Sequence, residues 1–317
     1  MKGSLAKELW IGLMAIALGC GGEHLVQTDN QPDSINEDTN STDAETSPDD
    51  DQTDTDSEQD TTPAEPLCDG EVISMDAVED MLTLTTLSGN ETVYTTYERI
   101  DGIATLFEDC GDPWGMFPTT YRHITLRIIQ AIENEEIADS TWGEQIVLDF
   151  ASRYFANLEA ALTAGELSYG WEHYYYLADN AEVSRTRAVL VAMVAHLTLD
   201  LPYALWEIGT TDDHEDDYFV LGELMIEITP NFIEDLRVYY DTDAEDILNG
   251  FFLGEWVDGV YGEDTMITLS YQTIRTKSWN NWRLLNSGWG WLADSEIYTS
   301  FWTIDGVLAS LDAAGTI

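Results

Sequence analysis

The sequence predicts an all-α fold, a single multi-helix globular domain with a buried central helix, preceded by a disordered acidic tether. Three observations carry that expectation. Apolar residues recur at helical spacing through most of residues 71–313, and no run of several alternating strands interrupts them. Residues 188–195 are apolar on every side, the pattern of a helix with no solvent face. Residues 21–67 hold 15 acidic side chains, no Lys or Arg, and almost no aromatic or branched apolar content. Such a stretch cannot bury enough surface to offset its chain entropy.

The chain opens with Lys2 and Lys7 ahead of an apolar run, Leu9 to Leu18, that ends in Gly19-Cys20. That run is too short to span a bilayer and has the layout of a secretory signal. Ala17-Leu18-Gly19-Cys20 resembles a bacterial lipobox, although Ala17 stands where Leu is usual. The resemblance implies that residues 1–19 are a lipoprotein signal peptide removed before an acylated Cys20. Several acyl chains on that cysteine make a stable anchor. Gly21, rather than Asp, at the second position of the mature chain implies outer-membrane sorting. Residues 20–67 then form the lipidated cysteine and linker, extended by like charge. Their Asp runs lack the spacing and glycine turn of a calcium loop.

Residues 68–317 are expected to form the globular domain. Its 45 acids against 10 bases give a net charge of -35, out of -49 for the chain. A phosphate backbone is repelled by such a surface, so nucleic acid is not an expected partner, and anionic lipid surfaces are disfavoured for the same reason. Nine of the domain's bases are Arg and only Lys277 is Lys, a balance that points to folding in high salt. Cys68 and Cys110 remain once Cys20 is assigned to lipid. An even pair in an oxidising compartment reads as a disulfide that ties the start of the domain to its second helix.

Helical stripes run through 140–163 (Val147, Ala151, Tyr154, Phe155, Leu158, Leu162), 244–257 (Ile247, Leu248, Phe251, Phe252, Trp256) and 262–286 (Ile267, Tyr271, Ile274, Ser278, Trp282, Leu285). Thr229-Pro230 reads as an N-cap followed by Pro at the first helical position. Eight to ten helices are expected in all.

The all-apolar stretch runs into His196 and Asp200, which are i and i+4 and share a helix face. Buried polar groups there need partners. One reading makes them ligands of a divalent metal such as zinc, since His-x-x-x-Asp on a buried helix also occurs in all-α zinc phospholipases and related nucleases. The other makes Asp200-Leu201-Pro202 a helix break, with Asp200 capping the next turn and His196 bonded inside the core. A zinc site needs further ligands. His123 in an expected helix, His173 in a loop-like stretch, His214 in an acidic loop, and Asp149, Asp216 and Asp217 are the available donors. No HExxH, GxSxG, Walker or GxGxxG pattern occurs where it would carry weight. Trp279 and Trp282 read as core. Trp289 and Trp291 sit in a loop-like stretch that suits stacking on a sugar or peptide. Arg275 and Trp279, four apart, are placed for a cation–π contact.

Residues 195–205, Ala-His-Leu-Thr-Leu-Asp-Leu-Pro-Tyr-Ala-Leu, resemble the signature of a bacterial family of unknown function, whose members carry AHI-x-x-DLP-x-AL after a small apolar helix. Asp149-Phe150-Ala151 through Tyr154-Phe155 resembles that family's "FA-x-x-YF" helix, and Trp171 its "PW" turn with Gly170 in place of proline. Asp217-Tyr218-Phe219 resembles its "DF" helix start, and Arg275 with Trp279 its "R-x-x-AW" stretch with Ser278 in place of alanine. The resemblance spans about residues 95–286. It implies a helical domain in which Asp149, Asp217, Arg275 and Trp279 join His196 and Asp200 as pocket positions, and it implies no activity. The expectation is a membrane-anchored cell-envelope lipoprotein whose helical domain is a binding or structural module. The alternative is a metal-dependent hydrolase of esters or phosphoesters, with His196 and Asp200 as ligands.

Overall fold

The structure, a computed structural model, describes residues 68–69, 72–242 and 271–317. The signal, the tether and the 244–257 stripe lie outside the described residues, as does the first part of the 262–286 stripe. Ten helices are described: α1 Met75–Thr85, α2 Val93–Cys110, α3 Met116–Glu133, α4 Ser140–Leu162, α5 Tyr169–Ala178, α6 Arg185–Glu207, α7 Glu215–Glu227, α8 Thr229–Tyr240, α9 Tyr271–Asn286 and α10 Gly290–Ala313. The only described strands are Cys68–Asp69 and Val72–Ile73, an antiparallel pair of two residues each.

The helices start where small polar residues can cap them. Ser74 accepts the Ala77 N–H at 3.3 Å, Asp139 accepts the Trp142 N–H at 3.0 Å, and Ser184 accepts the Arg187 N–H at 3.1 Å. Thr92 and Thr95 close a reciprocal capping box at the head of α2. The tail of α2 turns off through Gly111 at φ 68°, a conformation glycine takes without a Cβ penalty. The Thr229-Pro230 start differs from expectation. Thr229 is already helical and its hydroxyl bonds back to the Met225 carbonyl at 3.2 Å, so α7 runs almost directly into α8.

Cys68 and Cys110 are joined in a disulfide, Cα atoms 5.5 Å apart, which ties the strand pair to the end of α2. Asp112 reinforces the junction, accepting the Ile73 N–H at 3.2 Å and the Trp114 N–H at 3.0 Å.

α6 is the axis of the fold. Residues 188–195 are buried, as the all-round apolar pattern requires. By length and composition α6 could cross a bilayer, but it is enclosed by the other helices as a core helix. Its N-terminal half packs on α5 and α10, and its C-terminal half on α4 and α9.

The expected break at Pro202 does not occur. Proline has no N–H for the Thr198 carbonyl, and its ring crowds that carbonyl. The chain accommodates this by widening rather than stopping. His196–Asp200 form a π turn, in which the Leu201 N–H bonds the His196 carbonyl and the helix then continues to Glu207. Ser278 on α9 donates its hydroxyl to the Leu197 carbonyl at 2.5 Å, so a side chain from a neighbouring helix satisfies a backbone group within the π turn. Asp200 makes no capping bond.

Candidate functional site

His196 and Asp200 sit on the π turn, a distortion that clusters at functional sites. Both are buried, His196 at 2% exposure and Asp200 at 6%. The imidazole Nδ1–H donates to Asp200 Oδ2 at 2.8 Å, and the Trp171 indole N–H donates to the same oxygen at 2.9 Å. Because a carboxylate oxygen only accepts, the imidazole proton is assigned to Nδ1. Nε2 is therefore a bare lone pair, and it has no hydrogen-bond partner among the described residues.

Burial pushes the His196 imidazole below the usual histidine range, outweighing the upward pull of Asp200. At neutral pH the ring is uncharged. Phe150 from α4 stacks on it at 3.4 Å between centroids, and Tyr121 and Phe117 from α3 meet it edge-on at 4.9 and 5.2 Å. Trp171 reaches this position because α5 approaches α6 closely at Gly170. A Cβ on Gly170 would lie 2.9 Å from Leu199 and 3.1 Å from Ala195.

Beside the ring is a chamber of about 20 Å³ lined by His196, Phe117, Tyr121, Phe150, Met193 and Tyr271 among others. A second chamber of about 30 Å³ shares the walls Tyr121, Ile124, Phe150, Leu197 and Met225 with the first and ends at Arg275. At about 10–15 Å³ for a water, the first holds about one or two water-sized groups and the second about two or three. A larger cleft, about 550 Å³, lies elsewhere, between Pro113, Asp179, Arg185 and Thr242, and none of the sequence-predicted site residues lines it. Size alone does not select the chemistry here. The small chambers are lined by two of the buried side chains with unmet bonding capacity, His196 and Arg275.

The other predicted positions separate. Arg275 lies at the second chamber, where its guanidinium stacks on the Tyr218 ring at 4.1 Å and on Tyr271 at 5.6 Å. It does not take Trp279 as its cation–π partner. Arg283, one further turn along α9, covers that ring at 5.6 Å. Trp279 itself is core, 4.7 Å from Tyr218 and 4.4 Å from Trp282. Asp149 pairs with Arg153 at 2.8 Å. Burial lifts its carboxyl above the usual range, against the pull of Arg153. Asp217 accepts the Ala138 and Asp139 N–H groups at 2.8 and 2.9 Å, pinning the turn before α4.

The remaining described histidines have acidic partners of their own. His123 Nε2 meets Asp235 at 2.7 Å, His214 meets Asp139 at 3.4 Å, and His173 meets Asp305 at 3.1 Å. His173 lies in α5, not in a loop. Trp291 likewise begins a helix, α10, while Trp289 is its N-cap, and both are exposed. Among the described residues no group of three or more His, Cys, Asp or Glu side chains is placed to hold a metal ion.

Sequence reasoning alone did not identify Tyr121 and Tyr218 as walls of this interior, nor Trp171 as the second donor to Asp200. Phe150 and Trp171 were visible only as fragments of a family pattern. In space those fragments, scattered from Phe150 to Ser278, converge on the π turn of α6.

Residues 93–303 match the model of a family described as "Family of unknown function (DUF5995)". No curated protein and no solved structure matches the chain.

Proposed function

The chain belongs to this DUF5995 family of unknown function, and from the interior we propose that it is an envelope-anchored lipoprotein whose helical domain binds a small ligand in the chamber at His196. The Nε2 lone pair carries the reading. It is fully buried and has no partner among the described residues, although Asp200 and Trp171 fix the ring that bears it. Leaving such an acceptor unmet costs about 1–3 kcal/mol, and a ligand hydroxyl or amide N–H would recover that cost. The walls are apolar and aromatic and the chamber takes about one or two water-sized groups, so what enters it is the small donor end of a ligand with an apolar stem. The lipobox-like Ala17–Cys20 and the acidic residues 21–67 support anchoring through acylated Cys20 at the outer membrane, with the bilayer as partner.

Organic extraction of protein purified from envelopes, followed by mass spectrometry, tests the site. A small molecule present in near-stoichiometric amount with the parent chain and absent from His196→Phe is the expected result. Empty extracts from both reject the reading. Palmitate labelling tests the anchor, with label expected on the parent chain and lost in Cys20→Ser.

A second reading, a metal-dependent ester or phosphoester hydrolase, draws on the same lone pair. In this arrangement Asp200 orients the imidazole as outer-shell carboxylates do, and Nε2 is the ligating atom. It needs ligands beyond the described residues. Metal analysis of protein purified without a His tag decides it, and a stoichiometry near zero removes it.

A further inference from the structure

Arg275 is 3% exposed, in the interior of a chain with 61 acids and 12 bases. Every other described arginine except the partly exposed Arg185 is salt-bridged to a carboxylate. Among the described residues no carboxylate pairs with Arg275. Its bonded neighbours are neutral: Nη1 donates to the Tyr271 hydroxyl at 3.0 Å and lies 3.8 Å from the Met225 sulfur, and Nη2 donates to the Tyr218 carbonyl. Nε–H has no partner among the described residues. Arginine does not shed its proton in proteins, so this is a full positive charge buried among aromatic rings. Isolated buried charges carry a large desolvation cost unless a counter-charge meets them. The aromatic faces of Tyr218 and Tyr271 soften that cost and leave the net charge in place.

Arg275 also lines an apolar chamber of about 30 Å³. We infer that this chamber is an anion site, and that a small monovalent anion of halide size occupies it as the counter-ion of Arg275. Water of the same size could meet the free N–H but could not neutralise the charge. Sulfate or phosphate brings too many atoms for a space of about two or three waters and places a second charge among apolar walls. Gly222 packs close to the guanidinium, where a Cβ would lie 3.0 Å from Nε and 2.9 Å from Gln272 Oε1. A buried anion site suits this interior, because it supplies the one charge that the described residues do not place there. The inference does not depend on the reading of His196.

The test exchanges chloride for gluconate at constant ionic strength and follows thermal unfolding of the purified protein. The parent chain is expected to lose about 3 °C or more, and Arg275→Met to show no anion dependence. Restoration by bromide marks the site as a halide site. Restoration by formate as well assigns it to small monovalent anions including a carboxylate end. Equal responses of parent and Arg275→Met, or no response in the parent, overturn the inference. Bromide-soaked crystals of the parent chain give a reading that needs no variant. An anomalous peak within hydrogen-bond reach of the Arg275 guanidinium is expected, and its absence there sinks the proposal.

Discussion

Arg122 and Arg275 show two ways of burying a cation in the same domain. Arg122, on α3, bridges Glu108 on α2 and Asp235 on α8 at 2.9 and 2.7 Å, and Asp235 also takes His123. Burial lifts Glu108, while Thr119 and Arg122 pull it down. Burial also lifts Asp235, and there Arg122 and His123 prevail and hold it below the usual range. Each charge in that cluster answers another, and together they fasten three helices. Arg275 is buried more deeply with no carboxylate among the described residues, in a chamber that shares walls with the one beside His196, whose lone pair is equally unanswered. A closed network needs nothing from outside the chain. An open one carries a standing cost that a ligand relieves, and this distinguishes the structural cluster from the candidate site.

The largest expected effect sharpens the closed side. Arg122→Met leaves Glu108 and Asp235 facing each other without their cation, and denaturant unfolding is expected to show a loss of about 3–5 kcal/mol. A loss below about 1 kcal/mol would erase the contrast. Next, Trp171→Phe removes one of the two donors to Asp200 and some buried volume. A loss of about 2 kcal/mol is expected, with the fold retained by circular dichroism.

The third prediction uses acid. The folded His196 resists protonation, so as pH falls below the ordinary histidine value of about 6.5 the unfolded chain binds a proton that the native chain refuses. Stability therefore falls on that side, by at most about 1.4 kcal/mol per pH unit for one proton. His196→Phe, set among Phe117 and Phe150, is expected to flatten the dependence of stability on pH between about pH 6.5 and about pH 5 relative to the parent. Parallel curves would mean that the histidine is not held neutral. The smallest effect lies on the open side. In gluconate, Arg275→Met is expected to stay within about 1 kcal/mol of the parent or to exceed it, because an unanswered charge is exchanged for an apolar side chain.

Much of the fold could be read in the sequence because it depends on local pattern. The stripe from Val147 to Leu162 became α4, the all-apolar run 188–195 became the core of α6, and the pair Cys68 and Cys110 became a disulfide. Pro202 was misread because its local rule, that proline ends helices, was overridden by packing that no local window contains. Burial on all sides makes an exit from the helix costly, and Ser278, 81 residues from Leu197, satisfies one of the carbonyls in the widened turn. The site was legible only in part for the same reason. His196 and Asp200 announce themselves as polar residues at the end of an apolar run. That Asp200 is engaged by an indole from α5, and that Arg275 has tyrosines where an acid would be expected, are facts of three-dimensional neighbourhood.

The π turn has a consequence for the whole of α6. One residue in an α-helix corresponds to about 100° of rotation, so an extra residue in one turn resets the angular phase of everything after it. The N-terminal half can direct its side chains toward α5 and α10, and the C-terminal half toward α4 and α9, with no loop between them. A single rod thus does the work of two differently aimed helices. The one place where its backbone changes pitch is the place where the chain keeps its buried histidine.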